Sequence, residues 1–347
     1  MTATLAPTVT RRLTGFQPTG NLHLGNLLGA MRPLVAAQGG GGAIAMIADL
    51  HALTMEHDPA AVRQGTLDVA TLLLAAGVDH RQTAIIANSQ VPEHTELHYL
   101  LECATGFGEA ARMIQFKEKS ASPLPGFSAP SEGPGIGGKH RGPVRLSLLT
   151  YPVLMAADIL VHGADEVPVG DDQSQHLELA RTIATRFNAR YGRTFTVPEG
   201  IRPEAAARIM DLAEPTRKMS KSTRSAAGRI ALLDPPEVIR RTIARAVTDT
   251  VGVVRDDPAN QPGVSNLLAV LAACTGAEPG PFASYGALKS EVTDAVVELL
   301  APIRARHAEL AADPGFVRGI LAEGKARVRP NAQLTVRRTR AAIGLLD

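Results

Sequence analysis

The chain has 347 residues, 45% of them apolar, a net charge of +2 and an isoelectric point near 8.6. It is long enough for two domains and apolar enough for a large core, while so mild a positive charge permits a nucleic-acid partner without demanding one. No run of about 18 apolar residues appears and the first residues lack the apolar block of a signal peptide, so we expect a cytoplasmic protein without a membrane span.

Cys103 and Cys274 stand far apart with no Cys-x-x-Cys, so no cysteine metal site is supported and both are expected as small buried hydrophobes. Tryptophan is absent and aromatics make up only 3%, which argues against base stacking as a way of holding RNA.

The first strand is expected at residues 11–15, followed by GFQPTGNLHLGNLLGA. Leu24, Leu27, Leu28, Met31 and Val35 have helical spacing, so a helix starting just after Gly20 turns that stripe to the sheet. His23 and Asn26 then lie together near its N-terminus, off the stripe, and Gly25 and Gly29 leave room for close approach to the backbone. A strand, a glycine turn and a helix start bind phosphate in doubly wound folds, but the same turn also serves plain helix-on-sheet packing. Neither G-x-G-x-x-G nor a Walker sequence is present, which counts against NAD and P-loop nucleotides.

Further strands are expected at 43–48, 83–88 and 166–169, with a crossover helix that has Asp58 as N-cap, Pro59 in its first turn and Gly77 at its end. Strands alternating with helices predict an α/β class, a doubly wound (Rossmann-like) parallel sheet. In residues 122–143 five prolines and six glycines occupy half the positions, which reads as a flexible insertion. In YPVLMAADIL, Tyr151, Met155, Asp158 and Ile159 share one helix face, an apolar surface holding a single carboxylate. That acid either meets a specific donor or is capped by local backbone.

Gly170, Asp171 and Asp172 follow the VPV strand at a helix start, where acids serve as caps or meet ribose hydroxyls. KMSKS, Lys218 to Ser222, puts two lysines on an exposed loop. After Pro235 only helical patterns remain, so we expect an α/β domain at 1–228 and a smaller all-helical domain at 229–347, its last helix a candidate to pack back on the first domain. Arginines gather in that second part, among them Arg240, Arg241, Arg245, Arg304, Arg327, Arg329, Arg337, Arg338 and Arg340, as solvated faces or as an RNA surface.

HLGN and KMSKS in this order resemble the paired signatures of class I aminoacyl-tRNA synthetases. With MIQFKEKSA, LLTYPVLMAADIL, VPVGDDQSQHLELARTIATRFN, ARIM, AVTD and QPGVSNLL the resemblance narrows to the bacterial tryptophanyl-tRNA synthetase family over nearly the whole chain. The chain departs from that pattern in its long Pro/Gly-rich segment, in Pro33 within the first helix and in Thr223-Arg224 after KMSKS.

The resemblance implies activation of L-tryptophan by ATP with Mg2+, transfer to tRNA(Trp), and a homodimer. It implies catalytic roles for His23, Asn26, Lys119, Lys218 and Lys221. ATP would meet Gln17, Pro18, Thr19, Gly25, Asn26, Gly170, Asp171, Asp172, Ile209, Lys218, Met219, Ser220, Lys221 and Ser222. Tryptophan would meet Asp158 through its indole N–H, with Tyr151, Met155, Gln17, His51, Val167, Val169 and Gln173 around it. A tyrosyl-tRNA synthetase shares both motifs, and a small-molecule nucleotidyltransferase is the rival from another class. Whether Lys139, His140 and Arg141 in the insertion touch tRNA or belong to a tolerated passenger stays open.

Overall fold

The computed structural model describes residues 10–18, 22–113, 145–170, 173–201, 208–219 and 226–346. The 122–143 insertion lies outside the described residues. Five parallel strands, β1 (Arg12–Phe16), β2 (Ala43–Ile47), β3 (Thr83–Ala87), β4 (Glu166–Pro168) and β5 (Glu199–Ile201), form one sheet in the order β3-β2-β1-β4-β5. The chain is therefore an α/β protein built on a doubly wound, Rossmann-like sheet. Four strands fall where the patterning predicts them, each within a residue or two; β5 is an addition, because Glu-Gly-Ile is too short to carry any period.

Alternation inside the strands assigns the two faces. Ala43, Ala45, Ile47 and Ile85 join one apolar cluster, whereas Ile44, Met46, Ala84 and Ile86 join the other. Helices α1 (Leu24–Asn26), α2 (Arg32–Ala36) and α4 (Pro59–Ala75) cover the first face. On the second lie α5 (Glu93–Glu102), α7 (Leu146–Leu160) and α8 (Ser174–Tyr191). Short α3 (Asp49–Ala52) and α6 (Phe107–Ala111) complete this part.

Leu24, Leu27, Leu28 and Met31 are buried as their spacing requires, but the helix is not uniform. Residues Leu27–Met31 form a π turn between α1 and α2, with Arg32 N–H donating to Leu27 O. Pro33 follows at once, and its missing N–H is what a widened turn tolerates. Asp58 caps α4 by accepting from Ala60 N–H, and Gly77 takes the positive φ of 98° that ends this crossover.

Beyond residue 235 the described residues form α9 (Pro236–Ala244), α10 (Pro262–Thr275), α11 (Tyr285–Ala311) and α12 (Pro314–Ala342). Helix α12 runs along edge strand β3 so closely that a Cβ on Gly324 would fall 2.1 Å from Ile85 O. Its Val317, Ile320 and Leu321 enter one apolar cluster and its Val328, Ala332 and Val336 the other, so the helix seals the sheet edge from both layers. Three of the C-terminal arginines fasten it: Arg327 donates to His80 O and Arg81 O, Arg329 pairs with Glu93 and Arg340 with Glu96.

Arg240, Arg241, Arg245, Arg337 and Arg338 remain exposed. The cysteines correct the expectation of burial: Cys103 is exposed and Cys274 half-buried. Among the described residues no helix is long and apolar enough to cross a membrane.

Candidate active site

The strand order reverses between β1 and β4, and the crevice past the carboxyl ends of those strands is where open α/β sheets take ligands. Gln17 stands exposed just beyond β1 with Pro18 buried behind it, and Gly170 stands just beyond β4. Of the residues expected beside them, Thr19, Asp171 and Asp172 lie outside the described residues.

The two signature segments meet at this edge. Leu24 N–H donates to Ile230 O at 2.9 Å and Leu232 N–H to Leu22 O at 3.0 Å, pairing His23 with Ala231 in an isolated bridge. Asn26 folds its side-chain oxygen back onto His23 N–H at 3.1 Å and so closes the helix start. The KMSKS segment begins as one arm of a hairpin: Met219 N–H donates to Ile209 O at 3.0 Å and Asp211 N–H to Arg217 O at 2.8 Å.

A Cβ on Gly25 would sit 3.1 Å from the His23 ring and 3.7 Å from Met219 Cβ. What approaches Gly25 in this structure is therefore its own motif's histidine and the core methionine of the other motif. His23, expected off the apolar stripe, is only 4% exposed. Capping and bridging draw it inward, which periodicity does not encode. Lys218 closes the hairpin opposite Met210; Lys119, Ser220, Lys221 and Ser222 lie outside the described residues.

A second cluster lies behind the ends of β2 and β3. Asp158, on α7, is 0% exposed and accepts from His51 Nε2 at 2.7 Å, from His94 Nδ1 at 2.6 Å and from Asn88 Nδ2 at 3.3 Å to each oxygen. The local-backbone cap considered from sequence is not what holds this acid; three side chains from three other elements do. Asn88 is itself oriented, its Oδ1 accepting from Leu50 N–H, and Ser89 bonds Asp49, so the ends of β2 and β3 are tied together. Burial alone would raise the Asp158 carboxyl, but the hydrogen bonds from His51 and His94 and the nearby imidazole charge outweigh it and hold the group well below the usual carboxylate range. The result is a charged acceptor sealed from water.

His94 Nε2 lies 3.0 Å from His162 Nε2, so one proton sits between them. His162 Nδ1 is buried with no hydrogen-bond partner, and protonating that ring would add a donor with nowhere to point. Burial, reinforced by His94 and Arg11 and opposed by Asp158, pushes the imidazole well below its ordinary value of 6.5. Its unfolded form therefore binds the extra proton first, and the associated stability is complete above pH 6.5 and drains as pH falls below it. Between pH 7.5 and 5.5 the loss is expected to be on the order of 1 kcal/mol. Urea denaturation at both pH values checks this: His162→Gln, which still bonds His94 but does not titrate, removes that part of the slope. An unchanged slope counts against the assignment.

On the crevice side of α7, Tyr151 Oη is 3.1 Å from His176 Nε2, whose Nδ1 is 3.0 Å from Gln173 Oε1. The Tyr151 ring also stands edge-on to His51 with centroids 6.1 Å apart. Met155 and Val169 are half-buried and Val167 is buried, and all three belong to the apolar packing on this face of the sheet. His51, Tyr151, Asp158 and Gln173 thus converge. Sequence reasoning missed Asn88, His94, His162 and His176. Asn88 and His94 had a signal, a polar Asn just past a buried strand and a His at the start of the next helix, but nothing in their own neighbourhood names Asp158 as partner.

A parallel sheet with the HLGN helix start beside Met219, at the head of KMSKS, fits a class I synthetase. A family model described as tRNA synthetases class I (W and Y) matches residues 8–301, and the chain belongs to that family. A tryptophan–tRNA ligase 1 of Streptomyces avermitilis is 51% identical over 97% of this chain and 99% of its own. The solved tryptophanyl-tRNA synthetase of Mycoplasma pneumoniae matches with a TM-score of 0.86 at 34% identity, over 98% of this chain and 99% of that one. That of Campylobacter jejuni, solved in complex with ADP and tryptophan, matches at 0.77 and 31%, over 97% of this chain and 100% of its own.

Proposed function

We propose that this chain activates L-tryptophan with ATP and transfers it to tRNA(Trp). The observation that carries the reading is Asp158, a buried charged acceptor held by His51, Asn88 and His94 on the same helix that carries Tyr151 and Met155. An indole N–H is the donor such a carboxylate selects, and its hydrogen bond is charge-assisted. A relative 51% identical is named for the same activity, and a 31% identical structure carries tryptophan and ADP.

The reaction has two steps. The tryptophan carboxylate attacks the α-phosphorus of ATP, which enters as its Mg2+ complex, and pyrophosphate leaves; a ribose hydroxyl of the tRNA terminus then attacks the acyl carbon and releases AMP. Gln17 and Tyr151 meet the substrate ammonium, with Gln173 and His51 closing the pocket around Val167. Pro18, Thr19, Gly25, Asn26, Gly170, Asp171, Asp172, Ile209 and Met219 hold the nucleotide. Negative charge grows on the phosphates as the first step proceeds, and His23, Lys119, Lys218, Lys221, Ser220 and Ser222 answer it. The enzyme works in the cytoplasm, and the exposed arginines of α9 and α12 face the tRNA.

A homodimer completes the proposal. Tyr99 on α5, Phe107 on α6 and Leu146 at the start of α7 are 65%, 50% and 74% exposed, an apolar group on neighbouring helices of the sheet domain. Light scattering at the monomer mass would count against it.

ATP–pyrophosphate exchange screened over twenty amino acids tests the activity. Tryptophan alone should support rapid exchange. A tyrosine hydroxyl also donates to a carboxylate, so equal or faster exchange with tyrosine would overturn the specificity.

A further inference from the structure

The segment of Ile209 and Met210 is paired on one side only by the KMSKS arm. Its other side is read by a side chain. Asn266 accepts from Met210 N–H through Oδ1 at 2.9 Å and donates to Met210 O through Nδ2 at 3.0 Å. A primary amide used this way replaces one residue of a neighbouring strand, satisfying both backbone groups at once. Asn266 is buried, so water is a poor substitute.

Asn266 belongs to α10, and α10 reaches both signature segments. Near its start, a Cβ on Gly263 would lie 2.0 Å from Val247 O, and Val247 N–H donates to Leu212 O at 2.8 Å, a second link to the hairpin. At its other end the carbonyl of Ala273 accepts from Arg32, the residue that closes the π turn of the HLGN helix. One helix therefore grips the hairpin that ends in Lys218 and Met219, and also the helix that starts at His23.

We propose that Asn266 is a positioning residue for ATP: through Met210 it sets where the KMSKS arm stands against the HLGN helix, with α10 as the strut and Arg32 as its second anchor. This rests on the reading that those two segments take the nucleotide. Asn266 touches none of Asp158, His51 or Tyr151 and so acts on the ATP step and not on tryptophan binding.

The test separates the two substrates. Because the chain contains no tryptophan, the change in the added amino acid's own indole fluorescence reports its binding without indole emission from the protein. Asn266→Leu, similar in size and unable to bond Met210, should bind tryptophan within about twofold of the parent. Its KM for ATP in pyrophosphate exchange should rise about tenfold or more, the loss of one to two hydrogen bonds. Asn266→Asp keeps the acceptor for Met210 N–H but sets a charged oxygen against Met210 O, and should raise the same parameter at least as much; Arg32→Met should raise it less, with tryptophan binding again unchanged.

A parent-like KM for ATP in a folded Asn266→Leu or Asn266→Asp protein would overturn the inference, as would equal weakening of both substrates, the mark of general loosening. A parent protein that neither binds tryptophan nor exchanges pyrophosphate would instead overturn the ligase reading, and the inference with it.

Discussion

Asp158→Ala is expected to abolish tryptophan activation and to cost about 3–5 kcal/mol of folding stability, the range for stripping one partner from a buried charged cluster. The reason is visible in what remains. His94 Nδ1, Asn88 Nδ2 and His51 Nε2 all point at the missing oxygens, and His94 and Asn88 are fully buried. Each loses its acceptor where water has little access. Asp158→Asn is gentler in volume but not in chemistry, because an amide brings a donor into a place where three donors converge. It should raise the tryptophan concentration needed for exchange by about tenfold, on the order of 1–2 kcal/mol. Urea denaturation and the fluorescence of bound tryptophan measure the two effects separately. An alanine variant within 1 kcal/mol of the parent, roughly the worth of one ordinary hydrogen bond, would show that the cluster is not a buried charged site.

Replacing Lys221 with Ala should slow pyrophosphate exchange by about a hundredfold or more, roughly 3 kcal/mol, the cost of losing one donor aimed at transition-state charge. Tryptophan binding should be unchanged, since the proposed reading puts the amino acid by Asp158 and not beside KMSKS. The expectation rests on where the segment starts: Lys218 is paired with Met210, and Met219 is buried against Gly25, so the arm leaves the core next to the HLGN helix. A fall in kcat with KM for tryptophan constant is the pattern of an interaction made in the transition state. Unchanged turnover would remove Lys221 from the mechanism.

Local physics was legible in the residues. Period-two and period-3.6 patterning placed β1 to β4 and the buried stripe of Leu24, Leu27, Leu28 and Met31, and Asp58, Pro59 and Gly77 marked the ends of α4, because each depends only on neighbours in the chain. The same holds for the lone carboxylate of YPVLMAADIL, whose burial on an apolar face follows from spacing alone.

Partners were not legible, because no local rule says which distant group will arrive. His51, Asn88 and His94 reach Asp158 from the ends of β2 and β3 and from α5 only because parallel pairing brings those ends together. Arginines that read as one basic surface divide into two kinds: Arg327, Arg329 and Arg340 fasten α12 to the sheet edge, while Arg337 and Arg338 stay in solvent, a split decided by which side of a long helix meets β3. Asn266 stood in the QPGVSNLL stretch that carries the resemblance, but nothing there gave it a role, since an asparagine inside a helix becomes a strand mate only when another segment presents a bare Met210 backbone to it. Sequence by itself determined four of the five strands and the acid; the tertiary structure decided what the acid is bonded to, because hydrogen-bond partners are a property of packed distances and not of order along the chain.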